Sequence, residues 1–214
     1  MVISYLGGEC IKITQGDLTL AFNPPSKDSS LKASKFGADI ALVSLDNEDF
    51  NGIENAAFGE REPFVISGPG EYEVKGVAVR GFGSDTEYGG KGINTIYSVA
   101  LEGMNLCFLG ALGSATLPAA AKQELDDIDI LFVPIGGDGV LGYEEAYKLA
   151  VQLGPKAVIP MHYGDKMEGK NPPTGGALKS FLKEAGESAT AQDKLTVKKK
   201  DLDGKEGEII VLGA

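Results

Sequence analysis

The chain is poor in the residues that build most metal and disulfide sites. Its 214 residues include one histidine, His162, two cysteines, Cys10 and Cys107, and no tryptophan. One histidine excludes sites made of three histidines, or of two histidines and a glutamate, which are the usual holders of catalytic zinc. Two cysteines are too few for a disulfide scaffold or a four-cysteine zinc site, so they predict a reducing, cytoplasmic environment.

Basic residues and long apolar runs are also scarce. Lysine and arginine number 20 against 31 acidic residues, and the net charge is −11. Because proteins bind phosphate backbones and anionic lipids mainly through lysine and arginine, we expect neither nucleic acid nor a membrane surface as a partner. No run approaches the ~18 apolar residues of a membrane span, and residues 1–13 lack the basic and apolar regions of a secretory signal.

The chain instead contains many short apolar segments separated by its 30 glycines and by polar residues. Such spacing predicts short strands joined by tight turns. We predict strands at residues 2–6, 10–14, 18–22, 39–44, 63–67, 72–74, 76–81, 94–102 and 105–109, with a short helix at 53–58 and a glycine-rich loop at 82–92.

The second half of the chain alternates helices with buried strands. We predict helices at 117–125, 143–153 and 177–185, and strands at 128–134, 156–161, 194–200 and 208–212. No segment has the composition of a linker, so we predict one domain over residues 1–214. A β-rich half followed by a mixed half in one core predicts an α/β (α+β) fold, with two stacked sheets and helices outside them.

Two segments match part of a ligand-binding motif. Residues 137–142 fit G-x-G-x-x-G between a strand and a helix, but the next strand ends at His162, without the acid that would bind a ribose. Residues 47–52 resemble the start of a calcium loop, yet Phe58 stands where the bidentate acid is required. These segments therefore predict a glycine-rich turn and a polar loop, with neither a dinucleotide nor calcium bound.

Six segments in order along the chain carry a family resemblance. They are residues 5–10, 38–44, 68–76, 106–110, 134–137 and 155–163, of which GPGEYEVKG at 68–76 and IPMHY at 159–163 are the most distinctive. Together they resemble the metallo-β-lactamase fold, and within it the group similar to ascorbate-phosphate lactonase and to predicted zinc-dependent hydrolases. The resemblance implies a four-layer αβ/βα sandwich, in agreement with the order of the predicted elements.

The resemblance also implies where a metal site would lie. Proteins of this family hold two divalent ions through an H-x-H-x-D-H loop, two further histidines and a bridging aspartate, and a metal-bound water attacks an ester, lactone or phosphodiester. The loop positions of this chain are occupied by Leu45, Asn47, Asp49 and Phe50. The later positions fall near Gly83 or Ser84, at Ala111 and at His162.

We therefore expect a member of the family in which most metal ligands are missing. Asp49 and His162 alone would give a zinc ion two protein ligands, whereas catalytic zinc sites use three. We predict no catalytic residue, no cofactor and a non-catalytic binding or assembly module. Its cleft is expected to contain Asn47, Asp49, Asp138 and His162. In an assembly role, the partner would be a second copy of the chain or an active relative.

A metal-dependent hydrolase stays open as the alternative. It would act on lactones or phosphodiesters and would hold manganese or zinc in an oxygen-rich site. The candidate ligands are Asp46, Asn47, Asp49, Asp138 and His162.

The same residues also have structural interpretations. A histidine at the end of a buried strand is most often hydrogen-bonded to its neighbours, and Asp49 is expected to cap the short helix that follows it. Cys10 and Cys107 lie within apolar strand patterns, which favours small buried side chains over nucleophiles that work with His162.

Overall fold

Two β-sheets, of six and seven strands, form the centre of the fold in the computed structural model. The structure describes residues 1–164, 167 and 176–214. The strands are β1 (Val2–Tyr5), β2 (Ile11–Gln15), β3 (Leu18–Phe22), β4 (Ile40–Leu42), β5 (Phe64–Ile66), β6 (Gly70–Val74), β7 (Val77–Thr86), β8 (Gly92–Leu101), β9 (Met104–Phe108), β10 (Ile130–Pro134), β11 (Ala157–Met161), β12 (Leu195–Thr196) and β13 (Glu208–Ile209). The helices are α1 (Ile53–Ala56), α2 (Ala119–Glu124), α3 (Tyr143–Leu153) and α4 (Gly176–Glu184), and a 3₁₀ turn spans Lys199–Leu202. None of the helices described is both long and apolar enough to cross a membrane.

The strand order places several loops at one edge of the two sheets. The first sheet has the order β12-β1-β2-β3-β4-β5, and the second has the order β13-β11-β10-β9-β8-β7-β6. Strands β3, β4 and β5 run parallel to one another, as do β9, β10, β11 and β13. Parallel strands end at the same edge of their sheet, and ligands of α/β proteins commonly bind in the loops there.

The main apolar core lies between the sheets. Phe22 of the first sheet packs against Phe108 of the second, with ring centroids 4.8 Å apart, and the buried Tyr97 donates a hydrogen bond of 2.7 Å to the carbonyl of Val43. A second apolar cluster, which includes Phe181, lies between the second sheet and helices α2, α3 and α4. Alanines on the outer face of the first sheet pack with α1. This order of layers confirms the predicted αβ/βα sandwich.

Helix α3 shows how local sequence sets the outer layer. Ala146, Leu149 and Ala150 recur at spacings of three and four and are buried against the second core cluster. Gly154 follows the helix with φ of +59°, a left-handed conformation that costs glycine little and ends the helix.

Most predicted elements end within two residues of those in the structure, and the larger differences lie at 76–92, at 194–200 and at 208–212, where the strand is only Glu208–Ile209. The loop predicted at 82–92 is only the turn at 87–91, because β7 continues to Thr86 and β8 begins at Gly92. Gly81 lies inside β7, where a Cβ atom would be 2.8 Å from the carbonyl oxygen of Gly68. The absence of a side chain at Gly81 therefore allows β7 to approach the backbone of Gly68 closely. The strand predicted at 194–200 is reduced to β12, followed by the 3₁₀ turn.

Asp39 links the two sheets through charge. Its side chain, 12% exposed, accepts hydrogen bonds from the Thr19 amide at 2.8 Å and from Lys75 Nζ at 2.5 Å, and Arg61 lies 4.0 Å away. Burial raises the pKa of Asp39, but the hydrogen bonds from Lys75 and Thr19 and the charges of Lys75 and Arg61 outweigh it, so the net pKa lies below its usual value.

We expect Asp39→Asn to lower the free energy of unfolding at pH 7 by about 1 kcal/mol. A folded-state pKa below the unfolded value of about 3.9 means that this stabilisation is complete above that pH and is lost as the pH falls through the folded pKa. The stability difference between the wild type and Asp39→Asn, measured by urea unfolding, should therefore shrink below about pH 4. The exposed Asp17→Asn is the control, and a difference for Asp39→Asn that does not depend on pH would contradict the linkage.

Candidate functional site

A buried polar network joins the ends of three strands to the turn between β1 and β2. His162, which follows β11, is fully buried, and its Nδ1 lies 2.7 Å from Oε1 of the equally buried Glu9. Asn23, which follows β3, donates from Nδ2 to Glu9 Oε2 and to Ser44 Oγ, each at 2.8 Å. The Ser44 amide donates back to Asn23 Oδ1 at 2.8 Å. The carboxylate of Glu9 thus holds both the histidine ring and the asparagine amide.

The backbone of this network is unusually constrained. Asn23 and His162 have φ values of +42° and +58°, a left-handed region that costs a residue other than glycine about 1–3 kcal/mol. The His162 amide donates to the Gly8 carbonyl at 2.7 Å, and a Cβ on Gly136 would lie 2.3 Å from the His162 carbonyl oxygen. Tight packing on both sides therefore fixes the position of the His162 ring.

An apolar cluster covers the other side of the histidine. We call it the Phe50 cluster; it consists of the buried Leu45, Phe50, Ala111, Val140 and Met167, with the partly buried Leu31 and Tyr88 packed against them. The rings of Phe50 and Tyr88 are 5.1 Å apart, and the Tyr88 ring lies 4.9 Å from the His162 ring at an interplanar angle of 88°. Leu45, Phe50 and Ala111 stand at positions where the family resemblance implies metal ligands, and all three side chains lack lone pairs.

Asp49 is held by two loops and does not cap a helix. Its Oδ2 accepts a hydrogen bond of 2.7 Å from the Tyr88 hydroxyl, and its Oδ1 accepts a short hydrogen bond from Ser29 Oγ. The prediction that Asp49 caps α1 is wrong, because the cap position is Gly52 and no side chain caps the helix. Burial, together with the hydrogen bond and charge of Asp49, raises the pKa of Tyr88 well above its usual value.

A shallow acidic depression of about 510 Å³ lies above this pair. Its lining consists of Asn47, Glu48, Asp49, Glu87, Tyr88, Gly89, Asp138 and Gly139. The structure thus brings together Asn47, Asp49 and Asp138 of the four predicted cleft residues. His162 does not line the depression; it is fully buried and in contact with the Tyr88 ring.

The glycine-rich turn at 137–142 supports the loop that carries Tyr88. A Cβ on Gly139 would lie 2.6 Å from the Tyr88 backbone nitrogen, and the Glu87 amide donates to the Gly139 carbonyl at 3.2 Å. The turn therefore packs against another loop at the place where a dinucleotide motif would receive a phosphate.

The remaining candidate residues are Asp46, Cys10 and Cys107. Asp46 accepts a hydrogen bond of 2.7 Å from Asn51 Nδ2 on the exposed side of its loop. Cys10 and Cys107 are both 1% exposed, and burial raises the pKa of each thiol to about 12. A thiolate nucleophile is disfavoured under those conditions.

Residues 2–162 match the family model described as a beta-lactamase superfamily domain. The chain belongs to the metallo-β-lactamase superfamily. A relative from Natranaerobius thermophilus, named a UPF0173 metal-dependent hydrolase, is 26% identical over 185 residues, which cover 76% of this chain and 83% of the relative. A relative of the same name from Listeria innocua is 28% identical over 200 residues, covering 76% of this chain and 85% of the relative.

A solved structure supports the same assignment. The crystal structure of a candidate zinc-dependent hydrolase of the metallo-β-lactamase superfamily from Thermotoga maritima is similar to this chain, with 27% sequence identity and a TM-score of 0.76. The similarity covers 99% of this chain and 97% of the other. The fold similarity therefore extends over nearly the full length of both proteins.

The residues of this superfamily member do not fit a zinc ion at the expected place. Among the described residues, no group of three or more histidine, cysteine, aspartate or glutamate side chains could hold a metal. Leu45, Phe50 and Ala111 offer no lone pairs, which leaves Asp49 and His162 as the donors at the expected metal position. Zinc needs at least three such donors at one point.

Glu9 and Tyr88 are among the residues of this site that reasoning from the sequence missed. Glu9 stands between a glycine pair and a buried strand, where an ionisable side chain has to find a partner. Tyr88 is the one aromatic residue within the polar, glycine-rich stretch 83–92, and an isolated aromatic ring in such a loop indicates a packing or binding contact. Neither signal identifies the partner residue.

Proposed function

We propose that this chain is a metal-free member of the metallo-β-lactamase superfamily that serves as a binding module and does not catalyse hydrolysis. The observation that carries the proposal is the packing of Leu45, Phe50 and Ala111 into the Phe50 cluster, where a metal centre would require lone pairs. The polar network of Glu9, Asn23 and His162 is retained beside it as a structural support.

The acidic depression favours the same conclusion. A hydrolase of phosphodiesters needs cations beside its substrate, because the transition state carries negative charge. Glu48, Glu87 and Asp138 line the depression, and no lysine or arginine is among the residues described there. Without a metal, this surface repels an anionic substrate.

The metal content of the purified protein tests the proposal. We expect far less than one zinc, manganese or iron atom per chain after expression in medium supplemented with all three, measured by inductively coupled plasma mass spectrometry. Added metal should leave the thermal unfolding midpoint unchanged, whereas a bound ion present at 100 times its dissociation constant would stabilise the fold by about 2.7 kcal/mol.

Two variants distinguish a specific metal site from metal ions that are attracted only by the negative surface charge. Asp49→Asn changes a candidate metal ligand that the family resemblance places at this position, whereas Glu87→Gln removes a charge from the depression at a residue that is not a candidate ligand. Stoichiometric metal that is lost in Asp49→Asn and kept in Glu87→Gln would refute the proposal. Turnover of a lactone or phosphodiester that a chelator abolishes, and that is lost in Asp49→Asn and kept in Glu87→Gln, would instead support the metal-dependent hydrolase activity for which the relatives are named.

A further inference from the structure

One ring nitrogen of His162 lacks a partner. Among the described residues, Nε2 of His162 is the one buried side-chain nitrogen or oxygen without a hydrogen bond. Because a carboxylate only accepts, Nδ1 donates to Glu9, and in the neutral ring Nε2 carries a lone pair on the side away from Glu9. A buried acceptor without a donor is costly and is rarely retained without a role.

The Tyr88 ring lies beside the ring that carries this nitrogen. The Tyr88 ring is 5.1 Å from the Phe50 ring and 4.9 Å from the His162 ring, and its hydroxyl donates to Asp49 Oδ2 at 2.7 Å. The site therefore offers aromatic and apolar walls and two acceptors, Asp49 Oδ2 and His162 Nε2. The phenol of Tyr88 satisfies the first acceptor and leaves the second unpaired.

Tyr88 is held less firmly than the walls around it. It is partly exposed and lies in the turn at 87–91, next to Gly89 and Gly90, which have φ values of +67° and +117°. The Tyr88 amide reaches Thr86 Oγ1 at 3.2 Å, at the long end of the range for hydrogen bonds. Phe50 and His162, in contrast, are fully buried. Rotation of the Tyr88 side chain toward solvent would leave these walls in place.

We propose that this space, which we call the phenol site, binds small neutral aromatic molecules that carry two hydroxyl groups, and that Tyr88 fills it in their absence. One hydroxyl donates to Asp49, the second donates to His162 Nε2, and the ring packs against Phe50. The carboxylates of Glu87 and Asp138 at the entrance disfavour anions. The inference rests on the proposed function, because it assigns a ligand class to the same metal-free site.

Calorimetric titration of the wild-type protein with simple aromatics tests the ligand class. We expect at least one of catechol, resorcinol and hydroquinone to bind about tenfold more tightly than phenol, because only a diol can donate to Asp49 and to Nε2 at the same time. Benzoate, an anion of similar size, should not bind. Equal affinity for phenol and all three diols, or no binding by any of them, would overturn the inference.

Removing Tyr88 tests the role of its side chain. In Tyr88→Ala the ligand no longer competes with the phenol, so we expect the best diol to bind about tenfold more tightly than in the wild type. Tyr143→Ala is the matched control and should bind as the wild type does, because Tyr143, at the start of α3, packs with the second apolar cluster and not with the Phe50 cluster. An unchanged or weaker affinity in a folded Tyr88→Ala protein contradicts the role of Tyr88.

Nitrogen NMR of the wild type gives a readout that needs no variant. The chain has a single histidine, so both imidazole nitrogen resonances belong to His162, and the unprotonated Nε2 is distinguished from the protonated Nδ1 by its chemical shift. The Nε2 chemical shift should move when the best diol is added; a shift unaffected by every diol would overturn the inference. Metal content is measured independently of aromatic binding. A metal-free protein that binds no aromatic molecule would contradict this inference and leave the proposed function standing, whereas stoichiometric metal would contradict the proposed function.

Discussion

Replacing Glu9 by alanine should lower the free energy of unfolding by about 3–5 kcal/mol. The side chain is fully buried, and its two oxygens accept from His162 Nδ1 and Asn23 Nδ2. Alanine would leave the N–H of His162 Nδ1 and one of the two N–H groups of Asn23 Nδ2 in the interior without an acceptor, since the other still donates to Ser44 Oγ. Each unpaired group costs about 1–3 kcal/mol. Urea unfolding at pH 7, followed by far-ultraviolet circular dichroism, measures the change.

Two further variants show whether the cost comes from the network. Glu9→Gln keeps the shape and one acceptor oxygen, so it should cost less than Glu9→Ala. Glu71→Ala, on the exposed face of β6, should change the stability by less than about 0.5 kcal/mol. A cost for Glu9→Ala as small as that of Glu71→Ala would mean that His162 and Asn23 find other partners, and the polar network would then not support the site.

The fold could be predicted from sequence because its determinants are local. The hairpin of β1 and β2 follows from alternating apolar residues on either side of Gly7 and Gly8, and α3 follows from apolar residues at helical spacing. The incorrect prediction of a loop over 82–92 also has a physical cause. Gly81 and Gly83 look like turn residues in a sequence, but their lack of a side chain lets β7 pass close to residues 68–69.

The candidate site was only partly predictable because its contacts are long-range. Glu9 and His162 are 153 positions apart, and Asp49 and Tyr88 are 39 positions apart. No local pattern connects such pairs, so the sequence identified His162 and Asp49 without the partners that fix them. One conclusion follows from residue type alone, because Leu45 and Phe50 cannot ligate a metal wherever they lie. The structure adds that the two side chains pack in the same cluster.

Phe50→Ala should destabilise the protein by about 3–5 kcal/mol, because it leaves a cavity in a fully buried cluster. Phe58→Ala is a matched control eight positions along the chain. The Phe58 side chain is 62% exposed, so the same substitution there should cost less than about 1 kcal/mol. Thermal and urea unfolding of both variants give the comparison.

Comparing Phe50→Ala with Phe58→Ala shows whether the Phe50 cluster has become part of the stabilising core or is an open site that lacks a metal. If the Phe50 cluster stabilises the fold, the surroundings of His162 have taken a structural role, and ligands must enter by displacing Tyr88 and not Phe50. If Phe50→Ala costs no more than Phe58→Ala, the cluster contributes nothing to stability, and the place where a metal would lie has not become part of the core. The first outcome is expected because Phe50 contacts both Tyr88 and His162 and is fully excluded from solvent.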